Sequence, residues 1–314
     1  DSIIKFDQEA FDQISDNNGH RSKELYFKRS ITWTKITSSI QSFRYSDYGF
    51  INNDASMSLF PDYQNIYLEL GLLNSKVARK YLSFFNEGMN NTASDIARIP
   101  FVINKDKEQK INSTVRELIS ISKQDWDAFE TSWAFQKSPL LTQNVASLHQ
   151  AYDSWSDEAL TRFNQLKSNE EELNRIFINL YGLQDELTPE EDDKEVSVRK
   201  ADQVRDIKAF LSYFIGCVFG RYSLDQDGLV YAGSDWDDSK YMTFKPNKEN
   251  IILLTDRQYF DDDRDIIVRL KEFLTKTFDP ETLTENMDFI AQTLEPKKFE
   301  RGTSAEDIIR TYFL

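Results

Sequence analysis

Cysteine is nearly absent from this sequence, which has a single one, Cys217, among 314 residues. No disulfide can form within the chain, and a reducing compartment such as the cytoplasm is expected. Cys217 lies in the longest strongly apolar run, 209–219, so the sequence predicts a buried, unreactive thiol rather than a nucleophile. That run is much shorter than the roughly 20 residues needed to span a bilayer, and the first residues carry no charged-then-apolar signal. Neither a membrane segment nor secretion is expected.

Histidine is also scarce, and no metal or catalytic motif accompanies it. His20 and His149 lie far apart, with no cysteine or glutamate motif near either, so nothing predicts a zinc site or a catalytic triad. Two acidic clusters, 235–238 and 261–265, lack the spacing and the glycine of an EF-hand loop. They are interpreted as solvated loop carboxylates, and no metal ligand or catalytic residue is predicted in this chain.

Positive charge is outweighed, since 38 Lys and Arg face 53 Asp and Glu, which gives a net charge of −15. Residues 1–105 are balanced, with 12 basic and 12 acidic side chains, so the whole excess lies in residues 106–314. Proteins contact nucleic-acid phosphates with Lys and Arg, so the acidic part is a poor candidate for that role. Between residues 20 and 50, however, the basic side chains outnumber the acidic ones by four. The six basic residues are Arg21, Lys23, Lys28, Arg29, Lys35 and Arg44. This basic patch predicts either a phosphate-contacting surface or a strand edge kept soluble by its charges.

The first hundred residues predict a small domain of strands and one helix. Short stretches of β-branched and aromatic residues predict strands at 31–36, 43–45, 50–52 and 96–101, the last stopped by Pro100. Asp47-Tyr48-Gly49 has turn chemistry between the second and third of these. Apolar residues recur at steps of four and three from Ile66 to Phe84, which predicts one helix with a core-facing stripe.

The rest of the chain predicts mostly helices. A stripe that is apolar except at Ser122 runs from Ile111 to Trp133, and a longer rhythm from Leu148 to Leu180 predicts either one helix or two helices split near Ser168. Further helices are predicted within 196–222 and at 265–278, 283–294 and 304–312. The fold class is therefore α+β. The predicted domains are a connector at 1–19, a small α+β domain at 20–105, a helical spacer at 106–187 and a mostly helical domain at 188–314.

Three stretches resemble a known protein family. "LGLLNSKVARKYL…NNTASDIARIPF", from Leu70 to Phe101, resembles the target-recognition domains of DNA methyltransferases and of type I specificity subunits. "ITWTKITSSIQSFRYSDYGFINNDASMSLFP", from Ile31, and "GRYSLDQDGLVYAG", from Gly220, narrow the match. Together they resemble the C-terminal part of the adenine-specific DNA methyltransferases of BREX (Pgl-type) phage-defence systems. The resemblance covers the chain from about Tyr26 to Leu314.

The resemblance implies a DNA-recognition role without catalysis in this chain. The adenine methyltransferases hold the target base with an Asn/Asp-Pro-Pro-Tyr/Phe loop, but none of the seven prolines here adjoins another. No glycine-rich turn follows a predicted strand, so no S-adenosylmethionine site is expected either. Both would lie in a catalytic domain N-terminal to this chain, and the absence of an initiator methionine also suggests a piece of a longer protein. The implied partners are double-stranded DNA, that catalytic domain and other proteins of the defence system.

The residues expected to contact DNA follow from charge and loop position rather than from the family motifs. For the phosphate backbone they are the six side chains of the basic patch, and for base edges Ser39, Tyr45, Asn90 and Asn91. A rival interpretation is an interaction module, in which the acidic helical part docks other proteins of the system. A third, an independent nuclease or hydrolase, has no supporting motif.

Overall fold

The computed structural model describes residues 4–17, 19–20, 22–53, 55–62, 64–85, 88, 91–233 and 235–314. Its α-helices are α1 (Gln8–Asp16), α2 (Ile66–Asn74), α3 (Lys76–Phe85), α4 (Ala93–Ala97), α5 (Lys105–Asp127), α6 (Leu148–Tyr181), α7 (Gln203–Val218), α8 (Ile266–Thr277), α9 (Leu283–Leu294), α10 (Pro296–Glu300) and α11 (Ala305–Phe313). The chain divides into two compact units: unit 1, Asp1–Ile119 with Ser168–Asp192, and unit 2, Ser120–Lys167 with Asp193–Leu314. The predicted α+β class is confirmed, while the predicted division into four segments stays a prediction.

The strands of unit 1 are β1 (Ser30–Thr34), β2 (Phe43–Ser46) and β3 (Ser56–Leu59). They form an antiparallel sheet in the order β2-β1-β3. The first two predicted strands are confirmed, but the third lies at Ser56–Leu59 and not at 50–52. The Phe50 carbonyl accepts a hydrogen bond from the Phe27 N–H instead of joining the sheet. The chain then turns at Asn53, whose side chain accepts the N–H groups of Ala55 and Ser56, and β3 begins there.

The predicted strand at 96–101 is wrong, because a short helix occupies its first residues. Thr92 and Asp95 form a capping box that starts α4 at Ala93. Ile96 and Ile99 are both buried, so their apolar character does report a core position. Ile96 and Ile99 are three residues apart, a spacing compatible with one turn of helix and also with an irregular strand. The capping residues Thr92 and Asp95 favour the helix.

The single helix predicted from Ile66 to Phe84 is two helices. Ser75 has extended backbone between α2 and α3, and its hydroxyl donates to the Leu72 carbonyl. The Lys76 N–H, at the start of α3, donates to the side chain of Asn174 on α6. Most of the predicted stripe is buried, but Phe84 is exposed. The break therefore depends on a contact with a residue distant in the sequence.

The core of unit 1 lies between the sheet and the helices α2 to α6. Ile31, Trp33 and Phe43 from the sheet meet residues of α2 and α3, and Ile111 and Phe177 add α5 and α6. Gly71 of α2 packs tightly against α5, because a Cβ there would lie 2.9 Å from Val115 Cγ2. Only glycine allows this spacing without a shift of the neighbouring side chain.

Unit 2 is helical, and α6, which begins in this unit, is one continuous helix. The single-helix alternative at 148–180 is correct, and no break occurs near Ser168. Trp155 and Phe163 of α6 are buried, as the rhythm predicts, whereas Trp126 and Trp133 at the end of the preceding stripe are exposed. In the part of the chain that the structure describes, no helix combines the length and apolar composition of a membrane span.

Candidate nucleic-acid interface

The sheet of unit 1 has two chemically different faces, because successive side chains of a strand point to opposite sides. Its core face carries large apolar side chains. The opposite face, called the hydroxyl face below, carries small polar side chains around one arginine. Its members are Ser30, Thr32, Thr34, Arg44, Ser46, Ser56 and Ser58.

Arg44 lies within the hydroxyl face, directly opposite the buried Thr32. Its Nη2 donates a hydrogen bond to Thr34 Oγ1 at 3.0 Å, and both side chains are exposed. No carboxylate among the described residues pairs with this guanidinium, so its charge is not neutralised. The Ser58 hydroxyl, on the same face, is buried and has no hydrogen-bond partner among the residues that the structure describes. A fixed, unneutralised guanidinium among hydroxyl groups suits an anionic, oxygen-rich ligand such as a phosphate backbone.

Tyr45 points away from the hydroxyl face, although it directly follows Arg44. Its ring stacks on Tyr67 of α2, with centroids 5.9 Å apart, and its hydroxyl donates to Asp47 Oδ1 at 3.3 Å. Burial, with Tyr67 and Asp47 nearby, raises the pKa of Tyr45 well above its ordinary range, so the hydroxyl stays protonated at neutral pH. The structure therefore places Arg44 and Tyr45 on different surfaces.

Arg29 is grouped with Tyr45 rather than with Arg44. Its Nε donates to Asp47 Oδ1 at 3.0 Å, and its guanidinium lies over the Tyr48 ring at 4.5 Å. The Tyr48 N–H and Arg29 together lower the pKa of Asp47, so this carboxyl is ionised at neutral pH. Asp47 thus neutralises Arg29, which is less available to a phosphate than the sequence suggests.

The three lysines of the basic patch lie apart from one another. Lys23 is exposed, with its Nζ 4.8 Å from the centroid of the Phe11 ring. Lys28 is exposed and Lys35 is half-buried just beyond β1, and neither forms an ion pair with a described residue. These two remain candidates for phosphate contacts. Arg21, the remaining member of the patch, lies outside the described residues.

Two of the predicted base-contacting residues differ sharply in exposure. Ser39 is exposed in a turn, where it bonds to the Thr37 hydroxyl. Asn91 is buried, with its amide donating to Gln41 Oε1 at 2.9 Å and its carbonyl accepting the Trp33 indole N–H. Those contacts hold Asn91 against the sheet, and a base contact there stays a prediction. Asn90 lies outside the described residues.

Three further residues belong to these surfaces and were not predicted. Thr34 orients Arg44, Tyr67 stacks on Tyr45, and Arg116 of α5 lies over the Tyr67 ring at 4.6 Å. The alternation of hydroxyls in "SITWT" and "SMSL" could have indicated Thr34, because it gives each strand one polar face. Nothing in the sequence brings Arg116 to Tyr67, since that contact depends on helix packing.

The described residues bring no three His, Cys, Asp or Glu side chains together as metal ligands. The acidic cluster at 261–265 is partly engaged by arginines, with Asp262 pairing with Arg264 and the buried Asp265 with Arg310. Cys217 is buried, as predicted, and burial raises the pKa of its thiol to about 12. A neutral thiol of this kind is a packing residue at physiological pH.

Comparison with known proteins relates the chain to adenine-specific methyltransferases, which confirms the resemblance found in the sequence. No family model matches. The chain is 50% identical over 293 residues, 91% of its length, to the adenine-specific methyltransferase PglX of Lacticaseibacillus casei (strain Zhang). It is 30% identical, across 99% of its length, to the adenine-specific methyltransferase BrxX of Escherichia coli O9:H4 (strain HS). It spans only about a quarter of either relative, 24% and 27%.

Proposed function

We propose that this chain is the DNA-contacting, non-catalytic C-terminal part of a longer adenine-specific methyltransferase of a phage-defence system. In this proposal the hydroxyl face meets the backbone of double-stranded DNA. The observation that carries it is Arg44, which is exposed, oriented by Thr34 and not neutralised by any described carboxylate, on the edge strand of that face. Lys28 and Lys35 add positive charge in the same unit. S-adenosylmethionine and the reacting adenine would be held by a catalytic domain outside this chain, in the cytoplasm.

The proposal is tested with Arg44→Ala, because a phosphate contact has a thermodynamic signature that a structural contact lacks. The wild-type chain should bind a mixed-sequence DNA duplex weakly, and log K against log salt should have a slope of about −3 to −4 if about four phosphates are neutralised. Arg44→Ala should weaken binding and make the slope shallower by about 0.9. Binding can be followed by fluorescence anisotropy of a labelled duplex over a range of salt concentrations.

Arg301→Ala provides a matched control, because Arg301 is an exposed arginine of unit 2 outside the proposed surface. It removes the same charge and should leave the slope unchanged. Equal effects of the two substitutions would mean that only net charge matters, and the assignment of the hydroxyl face would then be wrong. Thermal unfolding of each variant shows whether the fold is retained; exposed substitutions of this kind change stability by about 0.5 kcal/mol or less.

A second candidate function, docking of another protein, is favoured by a groove in unit 2. The groove has a volume of about 760 Å³. One wall is a face of α9, with Glu285, Asp288 and Phe289 at helical spacing, and His149 of α6 stacks on Phe289 with ring centroids 4.7 Å apart. Neither carboxylate forms an ion pair with a described residue, and no lysine or arginine lines the groove. A basic, partly apolar segment of a partner protein would complement this lining.

A further inference from the structure

A line of stacked side chains runs from the sheet of unit 1 to α5. Tyr45, on the edge strand β2, stacks on Tyr67 in the first turn of α2. Arg116 of α5 also lies over the Tyr67 ring, with its Cζ 4.6 Å from the ring centroid. These three residues are called the tyrosine stack. The other end of the stack reaches Asp47 through the Tyr45 hydroxyl. The stack therefore connects the hairpin region with a helix that begins after residue 100.

Arg116 has an unneutralised charge at the exposed end of the stack. Its side chain is exposed, and its guanidinium forms no ion pair or hydrogen bond with another residue that the structure describes. Arg29, at the opposite end, is neutralised by Asp47. A guanidinium that rests on an aromatic ring keeps its N–H donors available at its edge. Because the ring restrains the side chain, less conformational freedom is lost when a ligand binds.

The position of Arg116 is fixed by the packing of the helices beneath it. Its neighbour Val115 is buried and packs against Gly71 of α2. With about 100° between successive helical residues, Arg116 is turned out of that interface towards the first turn of α2, where Tyr67 lies. The register of two packed helices thus determines where the guanidinium is presented.

We propose that Arg116 is a second contact to the DNA backbone, on α5 and outside the basic patch, positioned by the tyrosine stack. The inference rests on the proposed function, since it concerns the same duplex DNA. It extends the contact surface from the hydroxyl face, around the β2 edge of the sheet, to α5. Phosphate is the ligand group because a charged fork of donors without a carboxylate partner matches its geometry and charge.

The test measures binding of a labelled mixed-sequence DNA duplex by the whole chain over a range of salt concentrations. Arg116→Ala should weaken binding and make the salt slope shallower by about 0.9, the value for one phosphate. Arg116→Lys keeps the charge but loses the planar fork, so it should retain the slope and recover only part of the affinity. Tyr67→Phe keeps the ring and should behave as wild type, whereas Tyr67→Leu should weaken binding. Lys107→Ala, on the opposite face of α5, is the matched control and should change nothing.

The outcomes separate this inference from the proposed function. If the wild-type chain binds no duplex at any salt concentration, both are overturned. If Arg44→Ala weakens binding but Arg116→Ala equals Lys107→Ala, only the contact on α5 is overturned. If Arg116→Ala proves unstable by thermal unfolding, Arg116→Gln replaces it, because glutamine keeps a polar side chain over the ring. A slope that stays at the wild-type value in a folded Arg116→Gln variant would also overturn the inference.

Discussion

Gly71 has no side chain, which leaves room for Val115 of α5 to pack against α2. A methyl group there would lie 2.9 Å from Val115 Cγ2, closer than side-chain carbons normally approach. Ile111 and Phe177 surround the same point at 3.5 Å, so Val115 has little room to move away. The position favours glycine for packing, although glycine costs about 1 kcal/mol relative to alanine inside a helix.

We expect Gly71→Ala to lower the free energy of unfolding by about 1–3 kcal/mol, because overpacking outweighs the gain in helix propensity. Urea unfolding followed by circular dichroism measures the change. Combining Gly71→Ala with Val115→Ala should recover part of the loss, because the second change removes the methyl group that clashes. A Gly71→Ala variant more stable than wild type would show that α2 and α5 can separate without cost.

At the scale of elements, Asp193 connects α6 of unit 2 to the segment that leads into α7. Its carboxylate accepts hydrogen bonds from Lys167 and from Lys200, each at 2.7 Å. These two lysines lower its pKa to about 2 from an ordinary value of 3.8. Since the folded pKa is the lower one, the pairing stabilises the folded chain fully above about pH 4, and this stabilisation is lost as the pH falls through about 2.

Asp193→Asn should therefore lower the thermal midpoint at pH 7, and the difference from wild type should shrink steadily below pH 4. Differential scanning calorimetry of the two proteins at several pH values measures this. Asp157→Asn, which changes an exposed carboxylate on α6, is the control. It should change the thermal midpoint by the same small amount at every pH. A constant difference between pH 7 and pH 3 would show that the lysine pair contributes no net stability, as is the case for many exposed ion pairs.

Helices with long apolar rhythms could be predicted from the sequence, because their faces repeat many times. The 34-residue α6 and the terminal helices are of this kind. Short helices and strands could not be predicted in this way, since the residues at which they begin and end depend on single contacts. Ser75 interrupts the helix where Asn174 caps α3, and Thr92 turns an apparent strand into α4. The candidate interface could likewise be predicted only in part. Local charge indicates the basic patch, but the strand register is needed to show that Arg44 and Tyr45 lie on opposite faces of the sheet.

Across the whole molecule, the net charge of −15 conceals two surfaces with different chemistry. The proposed DNA contacts lie in unit 1, and the groove with Glu285 and Asp288 lies in unit 2. Acidic surfaces repel the DNA backbone, so the groove suits a different kind of partner. Changes in one surface should then leave the function of the other intact.

If the groove docks a partner protein, as proposed above, the double substitution Glu285→Lys and Asp288→Lys should abolish co-purification of the full-length protein with that partner. DNA binding by the chain should keep the wild-type salt slope, because the reversed charges lie outside the hydroxyl face. Asp157→Lys with Asp227→Lys makes the same change in charge at exposed sites outside the groove and should not affect co-purification. Loss of DNA binding together with intact assembly would contradict the division of roles.

The boundaries between the two units fall inside α5 and α6, which has a consequence for how such chains can diversify. The part of α6 up to Lys167 belongs to unit 2, and the part from Ser168 belongs to unit 1. An exchange of unit 1 with a relative would need crossovers at three places within this chain, two of them in the middle of a helix. Each would join half-helices whose buried faces were selected against different neighbours. Diversification of such a chain, including any change in the DNA recognition proposed for it, should therefore proceed by point changes within a unit, or by inheritance of both units as one block.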